Sequence, residues 1–127
     1  MPLVRVSNGG SLSETVLWTN SSQSTSVGQQ TVTLSDDMNN YDYIDVTFNY
    51  SRTNTNQAGR VRVAVSDLKN TGVNKGIVGF GIMTSSYRYN RSFNYSSDTK
   101  IVISTCTRSD GTTTTENAIP RAIYGIK

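Results

Sequence analysis

Histidine is missing from this chain altogether. Its absence removes the commonest general base, the usual histidine-dependent nucleophile triads, and most zinc and copper sites. Cysteine occurs once, at Cys106, so no intrachain disulfide can form. As a nucleophile it would lack a histidine partner. Cys106 alternates with Val102 and Ser104 and is expected to be a small buried hydrophobe. Charge is scarce too: charged residues are 17% of the chain and the net charge is +3. A nucleic-acid footprint needs basic residues clustered in a stripe. Only Arg60 with Arg62, and Arg88 with Arg91, come close, so no nucleic-acid partner is expected. No apolar run approaches the roughly 18 residues that a membrane helix needs. No basic-then-apolar leader opens the chain. Neither membrane insertion nor a signal peptide is expected. A phosphate loop of the GxxxxGK[ST] type is absent, and no cofactor is expected.

Acidic groupings are few. Asp36 with Asp37, and Asp42 with Asp45, are the ones present. A glycosidase needs two carboxylates facing each other across a cleft. Aspartates in loops ordinarily bond their own backbone instead. The 36–45 segment offers oxygen ligands for calcium, but its spacing matches no calcium loop. No metal, no catalytic residue and no enzymatic activity are expected.

What remains is polar but uncharged. Hydrophobic residues are 35% of the chain, low against a usual share of about 45–50% that also counts glycine. Ser, Thr and Asn fill the gap. Their short polar side chains compete for backbone hydrogen bonds, which disfavours helix and favours strands and turns. The clearest strand lies in Tyr41 to Arg52. Ile44, Val46, Phe48 and Tyr50 fall on one face, and Asp45, Thr47, Asn49 and Ser51 on the other. The pattern recurs in Glu14–Thr19, Gln30–Ser35, Arg60–Val65, Tyr87–Tyr95 and Lys100–Thr107. Polar turns separate them, among them Asn20–Gly28, the TNTNQAG loop ending at Gly59, and Asp110-Gly111. Gly79 and Gly81 interrupt the apolar run Gly76–Thr84, as at a bulge or a close approach of another backbone. The segment Ser66–Lys75 has room for a short helical turn. These features predict an all-β single domain over 1–127. Its architecture is expected to be an antiparallel β-sandwich, jelly-roll-like, of about eight or nine short strands.

The aromatic residues suggest a surface. Tyr87, Tyr89 and Arg91, with Arg88 on the opposite face, form a candidate ligand patch, where ring faces supply area and polar groups hydrogen bonds. Packing of Tyr87, Tyr89, Phe93 and Tyr95 in the core or at a subunit contact is the reading preferred over that patch. Trp18, between Leu17 and Thr19, reads as a core residue rather than a ligand platform.

The segment Thr15–Phe48 (TVLWTNSSQSTSVGQQTVTLSDDMNNYDYIDVTF) resembles a small β-module of bacteriophage virion proteins. Such modules occur in tail-fibre, head-fibre and minor structural proteins of phages of Gram-positive and gut bacteria. The opening MPLVRVSNGGS and the ending AIPRAIYGIK also look like the short free-standing form. The shared motifs are compositional: an LWTN turn, a QTVTL strand, an NYDYI strand and a terminal strand ending in GIK. The resemblance implies a non-enzymatic virion surface protein that self-associates, with a trimer favoured, and binds other virion proteins. Host-surface glycan is a further partner it allows, and the virion is the implied location. Contacts would come from the terminal strands pairing at a sheet edge, through Leu3, Val4, Val6, Ile119, Ile123 and Ile126. Gly79 and Gly81 would permit close subunit approach. A carbohydrate-binding module or adhesin is the alternative.

Overall fold

The computed structural model of the chain describes residues 12–70 and 77–127. Ten strands follow one another: β1 (Glu14–Thr19), β2 (Gln30–Thr33), β3 (Tyr43–Ser51), β4 (Gln57–Ala64), β5 (Ile77–Met83), β6 (Arg88–Ser97), β7 (Lys100–Ile103), β8 (Cys106–Arg108), β9 (Thr113–Thr114) and β10 (Asn117–Ile126). The only helical pieces described are single turns, a 3-10 turn at Met38–Asn40 and α1 at Val65–Leu68. Every strand pair is antiparallel. The protein is an all-β sandwich, as the alternation predicts. The Lys100–Thr107 run expected as one strand is broken at Ser104-Thr105 into β7 and β8. Both halves lie along the same side of β6.

One sheet has the order β1-β10-β3-β4. In the other, β6 is central. It pairs with β5 on one side and with β7 and β8 on the other, and these carry β2 and β9. The nested pairing of β1 with β10 and of β2 with β7 is the jelly-roll-like element. β3–β4 and β5–β6–β7 are plain hairpins within their own sheets. The sheets meet through Ile44, Val46 and Phe48 on one side and Phe80, Phe93, Ile101 and Ile103 on the other. A run of three rings crosses the interface, with centroids 4.9 Å apart for Phe48–Phe80 and 6.1 Å for Phe80–Phe93. Val65 and Leu68 of α1 add to the same core. Gly125 makes room for the Tyr41 ring, since a Cβ there would lie 2.5 Å from it.

β3 departs from its expected pattern in two ways. Its polar face is as buried as its apolar one: Asp45 and Thr47 are 1% exposed and Asn49 0%. β3 is an interior strand, and long side chains from its neighbours lie across it. Arg60 and Arg62 of β4 bind the Asp45 carboxylate, while Arg121 of β10 donates to Asn49. Tyr50, expected inward, is exposed. The β3–β4 register shifts between Phe48 and Asn49, so the inward series ends at Phe48.

Burial alone would raise the Asp45 carboxyl, but its bonds to Arg62 and Arg60 outweigh that and hold it below the usual carboxylate range. A group with a depressed folded pKa stabilises the fold above its unfolded value, about 4, and that contribution is lost as pH falls through the folded pKa. Stability is therefore expected to decline on acidification below about pH 4. Asp45→Asn should remove most of that acid dependence and lower stability by about 2–4 kcal/mol, since two partly exposed guanidinium groups lose their counterion. Arg52→Ala breaks only the solvent-exposed pair with Glu116 and should cost less than about 1 kcal/mol. Urea unfolding of both variants at pH 7 and pH 3 measures the contrast. Equal losses would contradict the role given to Asp45.

Candidate functional site

The four residues of the predicted ligand patch do not form one surface. Tyr87, Tyr89 and Arg91 do share a face, but it is the inward face of β6. Arg91 is 2% exposed. Its Nε donates to the Asn117 carbonyl at 3.0 Å and its Nη1 to the Ser104 carbonyl at 3.1 Å. Its Nη2 is buried with no partner, and burial pulls the guanidinium below its ordinary pKa range. Arg91 is thus a core residue, and its assignment to a ligand surface is corrected. The reason is positional: β6 is the central strand of its sheet, so the middle of its inward face has no access to solvent.

Tyr87 and Tyr89 are half-buried, with rings 6.2 Å apart in an edge-on arrangement. The Arg108 guanidinium sits 4.2 Å over the Tyr87 ring. Asp110 holds that guanidinium through two bonds, of 3.0 and 2.7 Å. The pairing raises Arg108 above and drops Asp110 below their usual ranges. The Tyr87 face is therefore already occupied from within. Arg88 points to the opposite side, where it borders a shallow groove with Gly79, Gly81, Met83 and Asn90.

The expected assembly residues divide similarly. Leu3, Val4 and Val6 lie outside the described residues. Ile119, Ile123 and Ile126 are 0–2% exposed, and β10 pairs with β1 on one side and β3 on the other. β10 therefore offers no sheet edge, and its edge-pairing role is corrected. The longest pairing in the sandwich, with β3, consumes the edge that a terminal strand would otherwise leave free. Gly79 and Gly81 lie in β5. β5 pairs with β6 alone among the described residues. The close approach predicted for Gly81 is real but internal, because a Cβ there would collide with the Tyr89 carbonyl oxygen. Gly79 has open space, its nearest neighbour being the Arg91 carbonyl oxygen at 3.8 Å.

The aspartates of the 36–40 turn are engaged locally. Asp37 caps the 3-10 turn through the Asn39 N–H at 2.8 Å. Asp36 accepts from the Tyr41 hydroxyl and the Asp37 N–H, which draw its pKa down. Among the described residues no three His, Cys, Asp or Glu side chains gather to hold a metal ion. No helix among them is long and apolar enough to cross a membrane.

A pocket that the sequence reading missed lies at the end of β1. It has a volume of about 420 Å³. Trp18, Asn20, Thr25, Ser26, Gln29 and Gln30 are among its walls, and none of its lining residues is charged. Trp18 packs its inner side against the core and also borders this pocket, so it is both core residue and wall. The Gln30 side-chain nitrogen is buried and has no hydrogen-bond partner. The available signal was the indole at one end of a long Ser/Thr/Asn/Gln run, with Gln29 and Gln30 at the other.

Cys106 is fully buried. Burial pushes its thiol up, and the nearby Arg91 charge offsets part of this. The native protein should therefore react with DTNB only as fast as it unfolds. Labelling at pH 8 across a urea series tests this; rapid labelling without denaturant would mean that this end of the core is open.

No protein-family model matches the sequence, and no curated protein is significantly similar to it.

Proposed function

We propose that the protein is a non-enzymatic structural module of a bacteriophage virion that self-associates on the particle surface, as a trimer, alongside other virion proteins. The observation that carries the assembly half of this reading is β5. It is seven residues long and pairs only with β6 among the described residues. An unpaired strand edge is a ready template for another chain. Along it Gly79 and Gly81 present no side chain, and Met83 is 72% exposed. That combination suits close approach of a second copy. The virion setting rests on the likeness of the LWTN, QTVTL and NYDYI segments to phage modules. A second reading, a carbohydrate-binding module or adhesin, is favoured by the uncharged polar pocket beside Trp18.

Light scattering on the purified chain tests the assembly. The expected mass is three times 13.9 kDa. Gly79→Lys places a charge on β5 where a side chain has open space. It should reduce the mass to that of one chain while the far-UV circular dichroism spectrum stays that of the folded sandwich, because a side chain at this position meets no close neighbour. The thermal midpoint should fall only by the stabilisation that association supplied. A wild-type protein that remains monomeric and fails to bind virions would overturn the reading.

A further inference from the structure

We propose that the pocket beside Trp18 binds a neutral saccharide, with a pyranose face stacked on the indole and ring hydroxyls held by Gln30, Gln29 and Ser26. This deepens the carbohydrate-binding reading and rests on it.

Four observations converge. First, the volume, about 420 Å³, falls in the about 300–1,000 Å³ range of small-molecule sites. Second, the lining has the chemistry of a polyol partner. It offers hydroxyls and carboxamides, which both donate and accept, and one flat aromatic face. No lining residue is charged, so an anionic or cationic ligand would find no counterion.

Third, the loop is held in shape by bonds that leave several polar groups unused. Asn20 is the hub. Its backbone N–H donates to the Arg121 carbonyl, its Nδ2 to the Pro120 carbonyl, and its Oδ1 accepts from the Ser22 N–H, each at 2.9 Å. The Val27 N–H is tied to the Thr115 carbonyl at 2.8 Å, and Asn49 donates to Gln23 at 2.7 Å. A loop fixed before binding loses little conformational entropy on binding. Fourth, the Gln30 Nε2 is a buried donor without an acceptor. Burying an amide N–H unpaired is unfavourable, and turning the carboxamide outward into the pocket that Gln30 lines would bring it to a ligand hydroxyl and relieve it.

The chain has one tryptophan, so its emission reports on this pocket alone. The test is a fluorescence titration with glucose, galactose, mannose, rhamnose and N-acetylglucosamine and their disaccharides at millimolar concentration. Calorimetry on the same samples detects binding anywhere on the chain. At least one sugar is expected to give a saturable shift of Trp18 emission. Gln30→Leu removes an unpaired buried donor, so it should fold at least as stably as the parent. It should weaken binding by at least about fivefold, the effect of losing one ordinary hydrogen bond. Gly28→Tyr adds a ring where a Cβ meets nothing within 4 Å, and it should abolish the signal. Tyr89→Ala should leave binding unchanged. If calorimetry shows a sugar bound while Trp18 emission and the Gln30 and Gly28 variants stay indifferent, this site is wrong and the carbohydrate reading survives elsewhere on the chain. If no sugar binds by either method, both are overturned.

Discussion

The fold depends on a carboxylate with nowhere to go. Asp45 sits in the middle of an interior strand and is 1% exposed. A buried charge of this kind is tolerated only with a close counterion and satisfied hydrogen bonds. Both of its oxygens are taken: Arg62 reaches Oδ1 at 2.8 Å and Oδ2 at 3.0 Å, and Arg60 also binds Oδ2. Arg60 continues over the Tyr124 ring, 4.7 Å from its centroid, to Glu14. One guanidinium thus links β4, β3, β10 and β1, the whole width of its sheet. Because register slips by single residues would turn Asp45 into the core, the ion pairs also fix how β3 and β4 align. The same side chains roof the outer face of that sheet. That face is already covered by its own side chains, so contact with anything else falls to the strand edges and the loop end of the sandwich.

What could be read in the sequence was whatever depends on alternation alone. The strands Glu14–Thr19, Tyr43–Ser51 and Arg88–Ser97 stand where a two-residue period put them. That Phe93 and Arg91 share a face followed from the same period; that this face is the inward one did not. Alternation says which residues share a face; it does not say whether that face is open to water. Arg91 and Tyr87 have the same parity, yet one is sealed in the core and the other half-buried. The difference is set by the partner sheet, which no local pattern encodes. The place of β10 was hidden for a related reason. Terminal strands are often edges, but this one is paired by the first strand and the third, contacts that span most of the chain. The Trp18 pocket was hidden because its polar walls look, residue by residue, like any loop.

Arg91 shows how a buried cation can persist without a carboxylate. Arginine cannot shed its charge at any ordinary pH, so burial must be offset by acceptors. Two backbone carbonyls, of Asn117 and Ser104, take that role. Asn117 opens β10, and Ser104 lies in the break between β7 and β8. The guanidinium therefore works as a brace between the start of β10 and the β7–β8 break. Cys106, the buried neighbour in its field, stays a neutral thiol because burial raises its pKa. The brace also explains why the strand breaks at Ser104: its carbonyl is turned to Arg91, and its hydroxyl accepts from the Ser92 N–H at 2.9 Å.

The two surfaces left open sit on opposite flanks. In the order β2-β7-β6 with β5 beyond, the pocket's Gln30 opens β2 at one edge and, among the described residues, β5 forms the other. Three strand spacings of about 4.8 Å each separate them. Pairing copies through β5 would therefore leave every Trp18 pocket uncovered. A single sugar site with one aromatic wall and a few hydrogen bonds binds weakly. Were copies held side by side as proposed, they would act at high effective concentration, and avidity could exceed the affinity of one site by about 10²–10⁴ without any new contact. Assembly and ligand binding are on this geometry complementary: the first supplies the strength that the second, taken alone, lacks.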